Sequence, residues 1–131
     1  MTPAPWLRFW WALGATLLLL AAYICLAPGQ EVPGSFELND KLSHAVGHFA
    51  LTIYFCGLVP RPRWYKIAIS LVAFGIGIEI AQHFMHLGRE ADRYDVLANT
   101  CGLAAGLLLS YLGLDRWPRW VAWTLGQRSV P

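Results

Sequence analysis

Residues 79–99, EIAQHFMHLGREADRYDVLAN, carry Glu79, Gln82, His83, His86, Arg89, Glu90, Asp92, Arg93, Asp95 and Asn99 in one short window. Carboxylates and imidazoles are the side chains of general acid–base chemistry. A guanidinium presents a planar fork that fits a phosphate or a carboxylate. A second polar set lies upstream in NDKLSHAVGH, where Lys41, His44 and His48 stand at i, i+3 and i+7. Glu79, Gln82, His83 and His86 follow i, i+3, i+4 and i+7, and Asp92, Asp95, Asn99 and Gly102 follow i, i+3, i+7 and i+10. On a helix each set is a stripe along one face.

The surroundings of these stripes are unusually apolar. Hydrophobic residues make up 56% of the 131 and charged residues 14%, against roughly 45–50% and about 25% in soluble domains. Crossing a bilayer takes about 20 mostly apolar residues. Four runs meet that length, at about residues 9–27, 42–60, 65–84 and 96–114, and past Lys66 at the edge of the third the only charge within them is Glu79. Backbone in lipid must be satisfied by helices or closed barrels, and runs this long are not barrel strands. The expectation is an all-α, polytopic membrane protein: one domain over residues 1–131, a four-transmembrane-helix bundle with 115–131 as an interfacial or cytoplasmic tail. A cleaved leader is the competing reading of the first run. Arg8 fits it, but YICLAPGQ offers no good small-x-small cleavage site and the run exceeds the usual stretch of about 7–15 residues.

Loop charge sets the orientation. Arg8, Arg61, Arg63, Lys66, Arg116, Arg119 and Arg128 fall on one side, seven cations against the three of Lys41, Arg89 and Arg93. Both termini are therefore expected in the cytoplasm. The seven tryptophans, Trp6, Trp10, Trp11, Trp64, Trp117, Trp120 and Trp123, all fall on that same side. Trp117, Trp120 and Trp123 suit a short helix in the headgroup plane, kept short by Pro118. The net charge of +2 gives no basis for nucleic-acid binding, and no basic run alternates with aromatics. Cys25, Cys56 and Cys101 each sit in an apolar run and read as buried hydrophobes, not as a disulfide framework.

In this topology three separate stretches bring their polar ends to the outer leaflet. Ionisable side chains in spans turn inward and find partners, and a lone carboxylate such as Glu79 is a functional candidate by default. Plainer readings stand beside that one. Gly102 and Gly106 read as close helix packing, Gln82 and Asn99 as interhelical hydrogen bonds, and His83 and His86 as solvated ring tips. Arg89 has Asp92 or Asp95 as alternative partners. His44 and His48, with Glu79 or Asp95, have the makings of a metal set, but no HExxH-type motif supports it and neither metal nor cofactor is assigned.

DKLSHAVGHFAL followed by EIAQHFMHLGREADRYDVLANTCGLAAG resembles the VanZ-like membrane proteins. The residues that match are Asp40, Lys41 and His44, then Glu79 and Gln82, Arg89, Asp92, Asp95, Asn99 and Gly102. They cover about residues 39–106, and His48 departs from the pattern, where the family often has an aromatic. The first span and the tail carry no such signal. The resemblance implies a multi-pass membrane protein of a family whose founding member is associated with low-level resistance to teicoplanin; it implies no catalytic residues.

Joined to that resemblance, the residues are expected to bind or modify an envelope lipid or lipid-linked cell-wall precursor at the bacterial inner membrane. Lys41 and Arg89 would hold the anionic head, with Asp40, His48, Gln82 and Asn99 lining the site. Glu79, His44, Asp92 and Asp95 would orient it or move a proton. The alternative is a small structural or interaction subunit with no ligand chemistry. Transport ranks last, because the inner halves of the spans offer little beyond Ser70, Thr16 and Ser110. A homodimer packed through Gly102 and Gly106, or through the first span, fits so small a bundle.

Overall fold

Long uncharged runs fold as helices because only the helix pairs every backbone group within its own segment. The structure, a computed structural model, describes residues 4–27, 36–85 and 92–126. Among these residues every regular element is helical: α1 (Ala4–Leu26), α2 (Phe36–Leu58), α3 (Trp64–Met85), α4 (Arg93–Tyr111) and the short α5 (Trp117–Thr124). Single 3-10 turns, Arg61–Arg63 and Leu114–Arg116, lead into α3 and α5.

The centre of the packing is α2, which contacts α1, α3 and α4 and meets α4 most extensively. Leu51 and Phe55 of α2, Leu71 of α3 and Leu103 of α4 form the buried apolar core. The α2–α4 contact is close because α4 presents glycines to it. A Cβ on Gly102 would collide with the Ala45 carbonyl, and one on Gly106 would lie 2.7 Å from Thr52 Cβ and 2.9 Å from the Phe49 carbonyl oxygen. The small-xxx-small pair is therefore a packing device within the chain. It is already covered by α2 and is not open to a second copy, so the expected dimer route through these glycines is corrected.

Indoles and a guanidinium tie together the end where α2 stops. Trp64 Nε1 donates to the carbonyls of Cys56 (3.1 Å) and Val59 (3.3 Å). Trp117 Nε1 donates to those of Ile53 and Tyr54, both at 3.2 Å. These are carbonyls near a helix C-terminus, part of which the helix itself leaves unpaired. Tyr54 OH reaches the Trp10 carbonyl at 2.6 Å, and the Trp10 and Trp117 rings meet edge-to-face with centroids 5.0 Å apart. Arg61 bonds Asp115 at 3.2 Å and the Tyr111 carbonyl at 3.2 Å.

The helix bounds differ from the expected runs in instructive places. α2 begins at Phe36, not near 42, because a helix continues past the apolar run where its charged first turns reach polar surroundings. α4 ends at Tyr111, short of 114, and Gly113 has φ +130, a conformation that residues with a Cβ rarely adopt. The chain then turns by 75° into the segment Leu114–Thr124, with Pro118 in the first turn of α5, where proline is tolerated.

Among the described residues two helices, Trp6–Leu26 and Arg61–Met85, are long and apolar enough to cross a membrane, and the bent pair formed by α4 and Leu114–Thr124 makes three if taken as one span. At 23 residues α2 has the length, but Asp40, Lys41, His44 and His48 interrupt its first half. These histidines are nonetheless buried, His44 5% exposed and His48 6%, in line with Leu51, Thr52, Phe55 and Cys56 of the second half.

Candidate functional site

The site is built where α2, α3 and α4 bring their polar ends together, and Asp92 is its joint. Asp92 is the N-cap of α4, its Oδ1 accepting the Tyr94 N–H at 2.8 Å, the usual way an aspartate satisfies a free donor of the first turn. Its Oδ2 accepts from Lys41 Nζ of α2 at 2.9 Å. Its backbone N–H donates to Glu79 Oε2 of α3 at 3.1 Å. One residue thus links three helices.

Around this joint the charges are ordered by depth. Lys41 also approaches Asp95 Oδ1 at 3.6 Å. The hydrogen bond from the Lys41 ammonium holds the Asp92 carboxyl below its ordinary range, and the same bond holds the ammonium above its own. Below them lies His44, whose Nε2 stands 3.8 Å from Asp95 Oδ2 and 3.9 Å from Asp40 Oδ2. Glu79 and Asp95 are buried, and Asp95, His44 and Asp40 all lie within electrostatic reach of Glu79. His44 Nε2, Glu79 Oε1 and Asp95 Oδ1 are buried without a hydrogen-bond partner. Buried polar atoms are normally satisfied, and those that are not call for an explanation.

The remaining candidates lie elsewhere. His48, one turn deeper on α2, places Nε2 3.2 Å from the Leu71 carbonyl of α3, so it ties two helices together and does not pair with His44. Gln82 turns to α1, its Nε2 donating to the Cys25 carbonyl at 2.8 Å, an interhelical hydrogen bond. Both amide atoms of Asn99 are buried and unpartnered. Its Nδ2 faces Gly75, where an added Cβ would come within 2.9 Å of it and 3.1 Å of His48 Nε2. Here a narrow cleft between α3 and α4 is lined by His48, Gly75, Ile76, Val96, Asn99 and Thr100.

Arg89 and His86 lie outside the described residues. Arg93 is exposed and lies over the Tyr94 ring at 5.6 Å, and His83 is exposed, edge-on to Phe84 at 5.4 Å. The structure therefore unites Asp40, Lys41, His44, Glu79, Asp92 and Asp95, and places His48 and Asn99 below them.

One assignment changes as a result. The sequence reading gave Lys41 an anionic head to hold; in the structure its ammonium is occupied by Asp92 and Asp95. The sequence reading joined His44 and His48 to Glu79 or Asp95 as a candidate metal set; the structure groups His44 and Asp95 with Asp40 instead, a member the sequence reading missed although its i, i+4 spacing to His44 was the signal available for it.

The comparisons cover much of the same chain. An uncharacterized protein of Schizosaccharomyces pombe (strain 972 / ATCC 24843) is 31% identical over 105 residues, which are 77% of this chain and 62% of that protein. The chain thus spans less than two thirds of the length of this relative. No solved structure matches. The VanZ/LLP1 family matches residues 8–114, reaching back through α1, which had offered no family signal of its own. The chain belongs to the VanZ/LLP1 family.

Proposed function

We propose that this family member is a single-domain, four-span protein of the bacterial inner membrane, with both termini in the cytoplasm. Its outward-facing site binds or modifies the phosphate head of an envelope lipid or lipid-linked cell-wall precursor, a role that fits resistance to envelope stress or glycopeptides. The observation that carries this reading is the pair of buried atoms without a hydrogen bond, His44 Nε2 and Glu79 Oε1, beside the buried Asp95 at one end of an apolar helical protein. Uncompensated groups of this kind are expensive in a membrane and are retained for function. The α2 span is supported by its outward face, where Leu42 and Val46 are exposed while His44 and His48 turn inward. Glu79 and His44 are the groups suited to act as general base.

The test is reconstitution in nanodiscs with labelled undecaprenyl-linked and glycerophospholipid candidates. Wild type is expected to bind or convert one class, with at least a tenfold loss in Glu79→Gln and in Arg89→Ala. No binding or turnover of any candidate, with Arg89→Ala behaving as wild type, removes the reading.

A structural or interaction subunit is the second reading, favoured by the Lys41–Asp92 ion pair that clamps α2 to α4. It predicts that Glu79→Gln and His44→Ala lower stability and partner recovery together. Crosslinking in native membranes that recovers no stoichiometric protein partner counts against it.

A further inference from the structure

We propose that Asp40, His44 and Asp95 form a binding site for one divalent transition-metal cation, such as zinc or manganese. The three offer one imidazole nitrogen and two carboxylate oxygens, all within 4.8 Å of one another. The His44 Nε2 separations of 3.8 and 3.9 Å are too long for hydrogen bonds. They are close to the span between two donors that share an ion at about 2.0–2.2 Å from each, so a small inward adjustment completes the set.

The second, independent observation is the state of the donors. The His44 side chain is 3% exposed and that of Asp95 5%, yet His44 Nε2 has no hydrogen-bond partner. It points between two carboxylates, as a ligand would. Asp95 also divides its oxygens: Oδ1 faces Lys41 and Oδ2 faces His44. A cation at Oδ2 therefore leaves the Lys41 contacts intact.

The donor set indicates the kind of ion. A mixture of imidazole and carboxylate suits zinc, manganese or iron, whereas magnesium and calcium prefer oxygen alone. Asp40 and His44 are set one turn apart on α2, and Asp95 approaches from α4, so a bound ion would join those two helices. Three protein ligands leave a coordination position open for water or a ligand oxygen. Where the described cations are outnumbered by Asp40, Glu79, Asp92 and Asp95, such an ion supplies positive charge that Lys41 cannot. This inference goes beyond the lipid reading and is tested without any lipid substrate.

The full chain in nanodiscs, stripped with a chelator, is dialysed against zinc or manganese chloride, and bound metal is measured by mass spectrometry. About one zinc per chain is expected, with at least a tenfold loss of affinity in His44→Ala and Asp95→Asn and no loss in His83→Ala. Wild type that takes up no zinc or manganese, or ligand variants that bind as wild type does, overturns the site. Should those variants fail to fold, pulsed electron paramagnetic resonance of wild type with one equivalent of manganese decides. Coupling to one imidazole nitrogen supports the site, and its absence overturns it. Zinc bound while every lipid candidate fails removes only the lipid reading; lipid bound without zinc or manganese removes only this one.

Discussion

Asp92 joins α2 to α3 through atoms that do different jobs, and they can be tested apart. Asp92→Asn keeps an N-cap, since asparagine caps as well as aspartate, but loses the charge that holds Lys41. A carboxyl whose folded pKa is lowered contributes stability above its unfolded value, roughly 3.9, and loses it as pH falls through the folded value. The variant is therefore expected to unfold at a slightly lower temperature than wild type at both pH 7 and pH 5, and the gap should close only in more acid solution. A gap that appears only above pH 6 would contradict the assignment. The residues of this joint were legible as a group because the polar stripes that carry Lys41, His44, Glu79, Asp92 and Asp95 fall at one end of their helices. Their pairing was not: that Lys41 meets Asp92 and Asp95 depends on how closely α2 and α4 approach, which no spacing along one helix specifies.

That approach belongs to the elements and rests on glycine. Gly102→Ala places a methyl group on the Ala45 carbonyl and should cost about 1–3 kcal/mol, as overpacking does. Gly77→Ala, with nothing within 4 Å of the added Cβ, should be close to neutral. Thermal unfolding in detergent compares the two; equal stability would mean that α2 and α4 do not meet as described. At the opposite end Trp117→Phe keeps a ring against Tyr54 and loses the donor to the Ile53 and Tyr54 carbonyls. A loss of about 0.5–1.5 kcal/mol is expected. The existence of the long helices was legible because uncharged runs in lipid have few alternatives. Their ends were less so: α2 runs on through Lys41 and Asp40, where charge was taken as the limit, while α4 stops before Gly113, where apolarity suggested continuation.

Topology is the matter for the whole molecule. If both termini lie in the cytoplasm, as proposed, a membrane-impermeant thiol reagent added outside should label Arg93→Cys and leave Arg63→Cys and Arg119→Cys untouched, in a background with Cys25, Cys56 and Cys101 replaced by serine or alanine. The reverse pattern would invert the protein and place the charged cluster on the cytoplasmic side. That the cluster and the tryptophans sit at opposite ends was foreseeable from the loops, and Trp10, Tyr54 and Trp117 meeting at one end agrees with it. The closing of that end by indole N–H groups on α2 carbonyls was not foreseeable, because it depends on the 75° turn beyond Tyr111. This separation makes the chain its own optical probe. From His44 to Tyr54 the helix advances by about 15 Å, so a guest seated among the carboxylates cannot quench these indoles by contact. A change in their emission on adding a guest would mean that the helices had shifted as bodies; silence alongside measurable uptake would mark a rigid receptacle.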